Sequence, residues 1–185
     1  MASKNIGGLM AGGLAISQAE HFYPTPPEPT QSLIDFYGDI IPLIVVEGAC
    51  GNGAMSRVIA ANGFTVLSSD RYHRGFGWGA VDFTSLPAID AWKRCAMITN
   101  PPFFAADEFI IHAHRLGFPF IALYLKQTYW NAAKRYDLWK KYPPKAQHPL
   151  SWRVDFTGGR NATMDCMWCC WGDNVPVSNE PLRRP

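Results

Sequence analysis

Apolar positions along this chain come in short blocks separated by glycine, proline and polar residues. Residues 43–46 (LIVV), 64–70 (FTVLSSD), 95–98 (CAMI) and 118–125 (FPFIALYL) form four such blocks. Short, β-branched runs of this kind predict strands buried on both faces of a parallel sheet. Helix-forming stretches lie between them. Residues 28–37 follow a proline-rich extended segment, and residues 54–62 end at Asn62-Gly63. In FAADEFIIHAHRLG, Phe104, Phe109, Ile110 and Ala113 recur near helical spacing. Two further strand-like runs, SWRVDF and TMDCMWCCW, are joined by TGGRNA and predict a hairpin. Strand and helix therefore alternate through the middle of the chain. The expected class is α/β, a mainly parallel sheet with a carboxyl-terminal antiparallel hairpin.

Composition changes this picture little. The 185 residues suit one domain with a full core, and 48% apolar against 17% charged positions suit a soluble globular protein. The domain is expected over residues 21–172, with a flexible glycine-rich lead at 1–20 and a polar, loose tail at 173–185. Five cysteines are an odd number for a disulfide framework. Cys166, Cys169 and Cys170 contain one C-x-x-C without a second ligand pair nearby, so a buried strand is expected and no metal. No run reaches the roughly 18 apolar residues of a membrane span. Lys4 with SQA at residues 17–19 makes a poor secretory signal, and a cytoplasmic protein is expected, in a bacterium or a phage-infected host.

Candidate chemistry collects where the strands should end. In open α/β sheets, ligands bind beyond the carboxyl ends of the strands. Three groups fall there: the loop EGACGNG (47–53), Asp70, and the elbow NPPF (100–103). GNG lacks both the third glycine of a dinucleotide fingerprint and the lysine of a phosphate-cradling loop. Asp70 follows Gly53 by 17 residues, near the acid spacing of nucleoside-binding units. Two carboxylate oxygens can accept from two neighbouring ribose hydroxyls. In NPPF, the prolines end the strand and push Asn100 towards an extended backbone. A stiff elbow results, showing one amide, several carbonyls and a ring.

Taken in order, FYPTPP, VEGACGNGAM, LSSD, VDF and TNPPF resemble the S-adenosylmethionine-dependent amino-group DNA methyltransferases. The likeness is greatest to the compact adenine-N6 enzymes of bacteria and phages, and spans residues 20–125. It implies a Rossmann-like class I methyltransferase fold with S-adenosyl-L-methionine as cofactor. Tyr23, Thr25 and Pro26 would lie near the cofactor's methionine end. Glu47, Ala49, Gly51 and Gly53 would surround its amino-acid portion. Asp70 would take the ribose hydroxyls, and Asp82 and Phe83 the adenine. Gly48 departs from the proline common in such loops, which is expected to loosen the loop without removing a contact.

The same resemblance gives the elbow a role. An adenine amine is a poor nucleophile, because its lone pair is delocalised into the ring. The Asn100 oxygen and the Pro101 carbonyl would each accept one N–H, aiming the lone pair at the methyl group. Pro102 stiffens the platform, and Phe103 offers a stacking face to a flipped-out base. The pattern also occurs in enzymes methylating RNA adenines and, with tyrosine last, protein glutamines.

Charge is segregated. Residues 126–160 carry eight cations and two acids, net +6, whereas the rest of the chain is −4. Lys126, Lys134, Arg135, Lys140, Lys141, Lys145, Arg153 and Arg160 interleave with Tyr129, Trp130, Tyr136, Trp139, Tyr142 and Trp152. Cations for phosphates beside aromatics for bases form a nucleic-acid surface, with DNA the expected partner and RNA the alternative. Arg71 and Arg74, in the loop RYHRGFGWG, would add to it. No room for a separate target-recognition domain is expected, so sequence choice is expected to come from the Arg71–Gly79 loop, the basic segment or a homodimer partner, or to be weak. His112 and His114 are read as surface residues. A module that binds cofactor or nucleic acid without catalysis is the rival from another class.

Overall fold

The computed structural model describes residues 23–156, 159 and 164–185. The expected lead at 1–20, Arg160 and most of TGGRNA lie outside the described residues. Six strands form one sheet: β1 Ile44–Glu47, β2 Thr65–Ser68, β3 Cys95–Thr99, β4 Phe120–Lys126, β5 Ala146–Pro149 and β6 Cys166–Trp171. Their order is β2-β1-β3-β4-β6-β5. The first four run parallel, and β6 lies antiparallel between β4 and β5. Helices α1 Pro27–Tyr37, α2 Ala54–Ala61, α3 Ala106–Leu116 and the short α4 Tyr136–Lys141 complete the elements.

Alternation along the strands divides the core in two. Phe120, Ala122, Tyr124, Trp168 and Cys170 face Leu33, Tyr37, Met55 and Ile59 of α1 and α2. Ile121, Leu123, Leu125, Cys169 and Trp171 face Phe109, Ile110, Ala113 and Leu116 of α3. Both faces are covered, which is why these strands read as apolar blocks rather than as alternating ones. All five cysteines are buried free thiols. No helix among the described residues is long and apolar enough to cross a membrane.

Several expectations are corrected. The antiparallel partner of β6 is AQHP, residues 146–149, whereas SWRVDF forms no strand among the described residues and makes the isolated bridge of Val154 to Met164. Phe104 lies before α3 and is 46% exposed, so it is not part of the helix's apolar face. The residues after Gly172 are not loose. Val175 and Leu182 are buried, and Ser178 and Leu182 bridge to Ala146 and Leu150 along the edge strand. The Glu180 carbonyl lies 2.6 Å from His148 Nδ1, whose Nε2 is 2.6 Å from the Tyr37 hydroxyl. This tail covers an edge that would otherwise expose unpaired backbone.

The order β2-β1-β3 means the chain leaves β1 to one side for β2 and returns to the other side for β3. That reversal opens a crevice at the carboxyl ends of β1 and β3.

Candidate active site

The crevice is a cleft lined at once by the ends of β1, β2 and β3 and by the stretch before α1. Of the expected cofactor residues, Tyr23, Thr25, Glu47, Ala49, Asp70, Asp82 and Phe83 line it. All four residues of the elbow line it too, as do Arg71 and Arg74. Pro26, Gly51 and Gly53 stand behind its wall, Pro26 as the cap before α1. Tyr72, Asn52, Thr84 and Glu108 also line it and carried no sequence signal.

The glycine loop is held by the second strand. Asp70 Oδ2 accepts from the Gly51 amide at 2.8 Å, and Oδ1 accepts from the Tyr72 amide at 2.8 Å. Each oxygen keeps a lone pair, so a carboxylate fixed in position still offers two acceptors to the cleft. Gly53, at φ +81°, opens α2, and a Cβ there would stand 2.4 Å from the Phe76 ring. Arg57 lies over that ring, 4.7 Å from its centroid. Gly48 has a different reason. A Cβ at this position would stand 2.7 Å from the Phe83 ring, so the side-chain-free loop lets Phe83 seat against it. The departure from proline therefore packs the loop rather than loosening it.

Phe83 is 1% exposed and stacks on Phe109 with centroids 4.8 Å apart. Its ring belongs mainly to the core and reaches the cleft only as part of the wall. Asp82 caps the 3-10 turn, its Oδ1 accepting from Thr84 N at 2.9 Å and Thr84 Oγ1 at 2.7 Å. Its Oδ2 remains towards Arg71, 3.9 Å from Nε, in an exposed pair that adds little stability.

Glu47 is buried at the cleft floor. Ser56 Oγ donates to its Oε2, and the Ser56 and Ser68 hydroxyls are 2.7 Å apart. Burial pushes the Glu47 carboxyl up to about 7; the Ser56 hydrogen bonds oppose the shift and the nearby Asp70 charge adds to it. An acid whose folded pKa is raised stabilises the fold fully below its unfolded value, and loses that contribution as pH rises through the folded value. Between pH 4.5 and about 7, Glu47 should thus withdraw stability, on the order of 3 kcal/mol at about 1.4 kcal/mol per unit. Burial depresses His112, His114 and His148, which work in the opposite sense, losing stability as pH falls. The difference in melting temperature between the parent protein and Glu47→Gln isolates the acid. The variant should gain on the parent as pH rises from 5 to 8, and a constant difference would remove the assignment.

The elbow has its own partners. Asn100 Nδ2 donates to Thr25 Oγ1 at 3.0 Å. Phe103 stacks near Tyr23, with ring centroids 6.2 Å apart, and Lys126 Nζ is 4.5 Å from its ring centroid.

The basic segment is less uniform than its composition. Arg135 pairs with Asp107 at 2.9 Å, donates to the Tyr129 carbonyl and stacks on the Tyr129 ring, so it braces the fold rather than facing a phosphate. Lys145 donates to the Asp173 carbonyl. Tyr129 is buried, and Trp130 and Trp139 pack edge to face. Lys134, Lys140, Lys141 and Tyr136 remain on the surface, with Lys140 over the Tyr136 ring and Lys141 over that of Tyr142. His112 is 5% exposed against Phe83, and His114 stacks on Tyr142, which corrects their reading as surface residues.

Solved structures share this architecture. A Pyrococcus horikoshii protein assigned as an RNA methyltransferase matches with TM-score 0.62 at 15% identity, over 88% of this chain and 92% of that one. The fold is that of the class I methyltransferases. The Burkholderia thailandensis 1,6-didemethyltoxoflavin N1-methyltransferase, solved with S-adenosylhomocysteine, matches with TM-score 0.52 at 11% identity, over 78% and 76%. A methyltransferase subunit of a type I restriction-modification system from Streptococcus thermophilus matches with TM-score 0.52 at 12% identity, over 92% of this chain and 47% of that one. No family model and no curated protein matches the sequence.

Proposed function

We propose that this protein transfers a methyl group from S-adenosylmethionine to the N6 amine of adenine in DNA. The observation that carries this reading is the Asn100 amide. With Nδ2 engaged by Thr25, its oxygen is left to accept from a substrate amine. It stands at the end of β3, beside the Pro101 carbonyl and the Phe103 ring. Two acceptors and a stacking face around one position fit a flat base bearing an amino group.

The cofactor's chemistry is an electrophilic methyl group on a sulfonium. The residues present fit it: Asp70 offers two acceptors suited to a vicinal diol, and Asp82 Oδ2 faces the same cleft. The side-chain-free loop at Gly48 lets the wall close behind them. Asn100 and Pro101 hold the amine with its lone pair directed inward. As the nitrogen gains the methyl group and positive charge builds, the same two acceptors stabilise it and receive the N–H being weakened. No strong base is needed beside them; the departing proton leaves to solvent.

Cations at the cleft mouth, Arg71 and Arg74, and on the surface of α4 support a nucleic acid as partner. RNA is the second reading, supported by the likeness to the Pyrococcus horikoshii protein along nearly its whole length. The test supplies labelled S-adenosylmethionine with unmethylated duplex DNA and with total RNA, alone and in competition, followed by nucleoside mass analysis. N6-methyladenine in DNA is the expected product. Product in RNA alone would transfer the reading to RNA, and no methylated nucleoside from either would overturn it.

A further inference from the structure

We propose that Thr25 is a positioning residue for Asn100: its hydroxyl holds the amide nitrogen and so turns the amide oxygen towards the methyl-accepting amine. This rests on the amine-methyltransferase reading of the cleft.

A side-chain amide has two nearly isosteric ends of opposite character. One accepts two hydrogen bonds and the other donates two. Only one orientation serves an amine substrate. Reversed, the amide would set N–H against N–H and lose the acceptor that holds the nucleophile. Nothing in the elbow's own sequence selects between them, because the prolines constrain the backbone and not the final side-chain torsion.

Thr25 supplies a partner for the nitrogen end. Its Oγ1 lies 3.0 Å from Asn100 Nδ2, across 75 residues of sequence, and the residue is 6% exposed. Stiff elbows hold both partners. Thr25 sits between Pro24 and Pro26, in a position biased to extended backbone, and its β-branched side chain has few rotamers. Asn100 precedes Pro101 in the same way. The bond thus joins two proline-stiffened corners, PTPP and NPPF, across the cleft. A hydroxyl alone can donate or accept, and its second function decides which. Thr25 lines the cleft, so when it accepts from Asn100 its own proton is left for an acceptor there. A bound group that takes this proton leaves Oγ1 only acceptance to offer, and locks the amide in the productive orientation.

The test uses the full chain with Thr25→Val, which keeps the shape and loses the hydroxyl, and Thr25→Ser, which keeps the hydroxyl. The first readout is independent of turnover. In the ¹⁵N–¹H spectrum, the Asn100 side-chain amide is assigned by its absence in Asn100→Ala. It should show one proton protected from exchange in the parent and in Thr25→Ser, and unprotected in Thr25→Val. The second is kinetic, read as kcat at saturating cofactor so that any contact of Thr25 with the cofactor itself does not enter: Thr25→Val should lower kcat by about 10- to 100-fold, and Thr25→Ser should restore most of it. An unprotected Asn100 amide in the parent would overturn the proposal even if Thr25→Val failed to fold. So would an unchanged kcat in Thr25→Val at saturating cofactor, or a kcat that Thr25→Ser does not restore. A parent that methylates no nucleic acid would instead overturn the functional reading, and the exchange measurement would still judge the hydrogen bond.

Discussion

Replacing Asn100 with alanine should lower methyl transfer by at least about 10²- to 10³-fold, the usual consequence of removing one preorganised polar group from the charge developing in a transition state. Cofactor affinity should change little if, as proposed, Asn100 serves the amine rather than the cofactor. The variant should also fold. Its side chain is only half-buried, and its loss leaves in place the Trp168 Nε1 bond to the Pro29 carbonyl that ties α1 to the sheet. The measurement is single-turnover transfer at saturating cofactor beside calorimetric titration of the cofactor. Transfer at the parent rate would remove the elbow from the mechanism. Equal loss of binding and transfer would make Asn100 a cofactor residue instead.

Asp70→Ala should have the opposite signature. Its carboxylate holds the Gly51 and Tyr72 amides while offering two further lone pairs to the cleft. Hydrogen bonds to a charged group are each worth about 1.5–3 kcal/mol, so losing two ribose contacts should weaken cofactor binding by at least about 100-fold. The released loop adds to that loss, since two backbone donors near the cleft floor lose their acceptors. Asp70→Asn distinguishes the contributions. Its single carbonyl can accept from one amide while its NH2 opposes the other, so binding should recover only in part. Titration with S-adenosylhomocysteine reads both variants without any methyl acceptor. Affinity equal to the parent's in Asp70→Ala would leave the acid as a loop clamp alone and vacate its ribose role.

The two variants separate the cleft into halves that meet at the switch between β1 and β3. One half, from Asp70 to Asp82, is built from backbone amides and carboxylates held against loops. The other, from Thr25 to Phe103, is built from two proline corners. The Lys126 ammonium over the Phe103 ring places a cation beside the stacking face as well as on the outer surface. A base stacking on Phe103 would meet the neighbouring Tyr23 ring and Lys126 ammonium.

Legibility in the sequence followed how local each cause was. The blocks at β1, β3 and β4 were readable because strands covered on both faces must be apolar at every position. GACGNG was readable as a turn because only glycine takes a positive φ such as the +81° of Gly53 without strain. By contrast, β5 is AQHP and carries no β-branched residue. It pairs with β6 because His148, though polar and fully buried, finds the Tyr37 hydroxyl on one side and the Glu180 carbonyl on the other. SWRVDF looked more like a strand, yet among the described residues its strand pairing is limited to the isolated bridge of Val154 to Met164. His112 and His114 alternated with apolar residues on α3, and helical spacing could not say that Phe83 and Tyr142 would cover them.

What the sequence alone determined was therefore the alternation of strand and helix, the places where strands end, and the residue types gathered there. These depend on backbone stereochemistry and on burial, which act within a few residues. Only the tertiary structure decided that Gly48 must lack a side chain because Phe83 lies on it, that Arg135 braces Asp107 instead of facing solvent, and that Thr25 holds the amide of Asn100. Each is a contact between distant segments, set by how the sheet orders its strands and by which polar group lies within hydrogen-bond reach once they are in place.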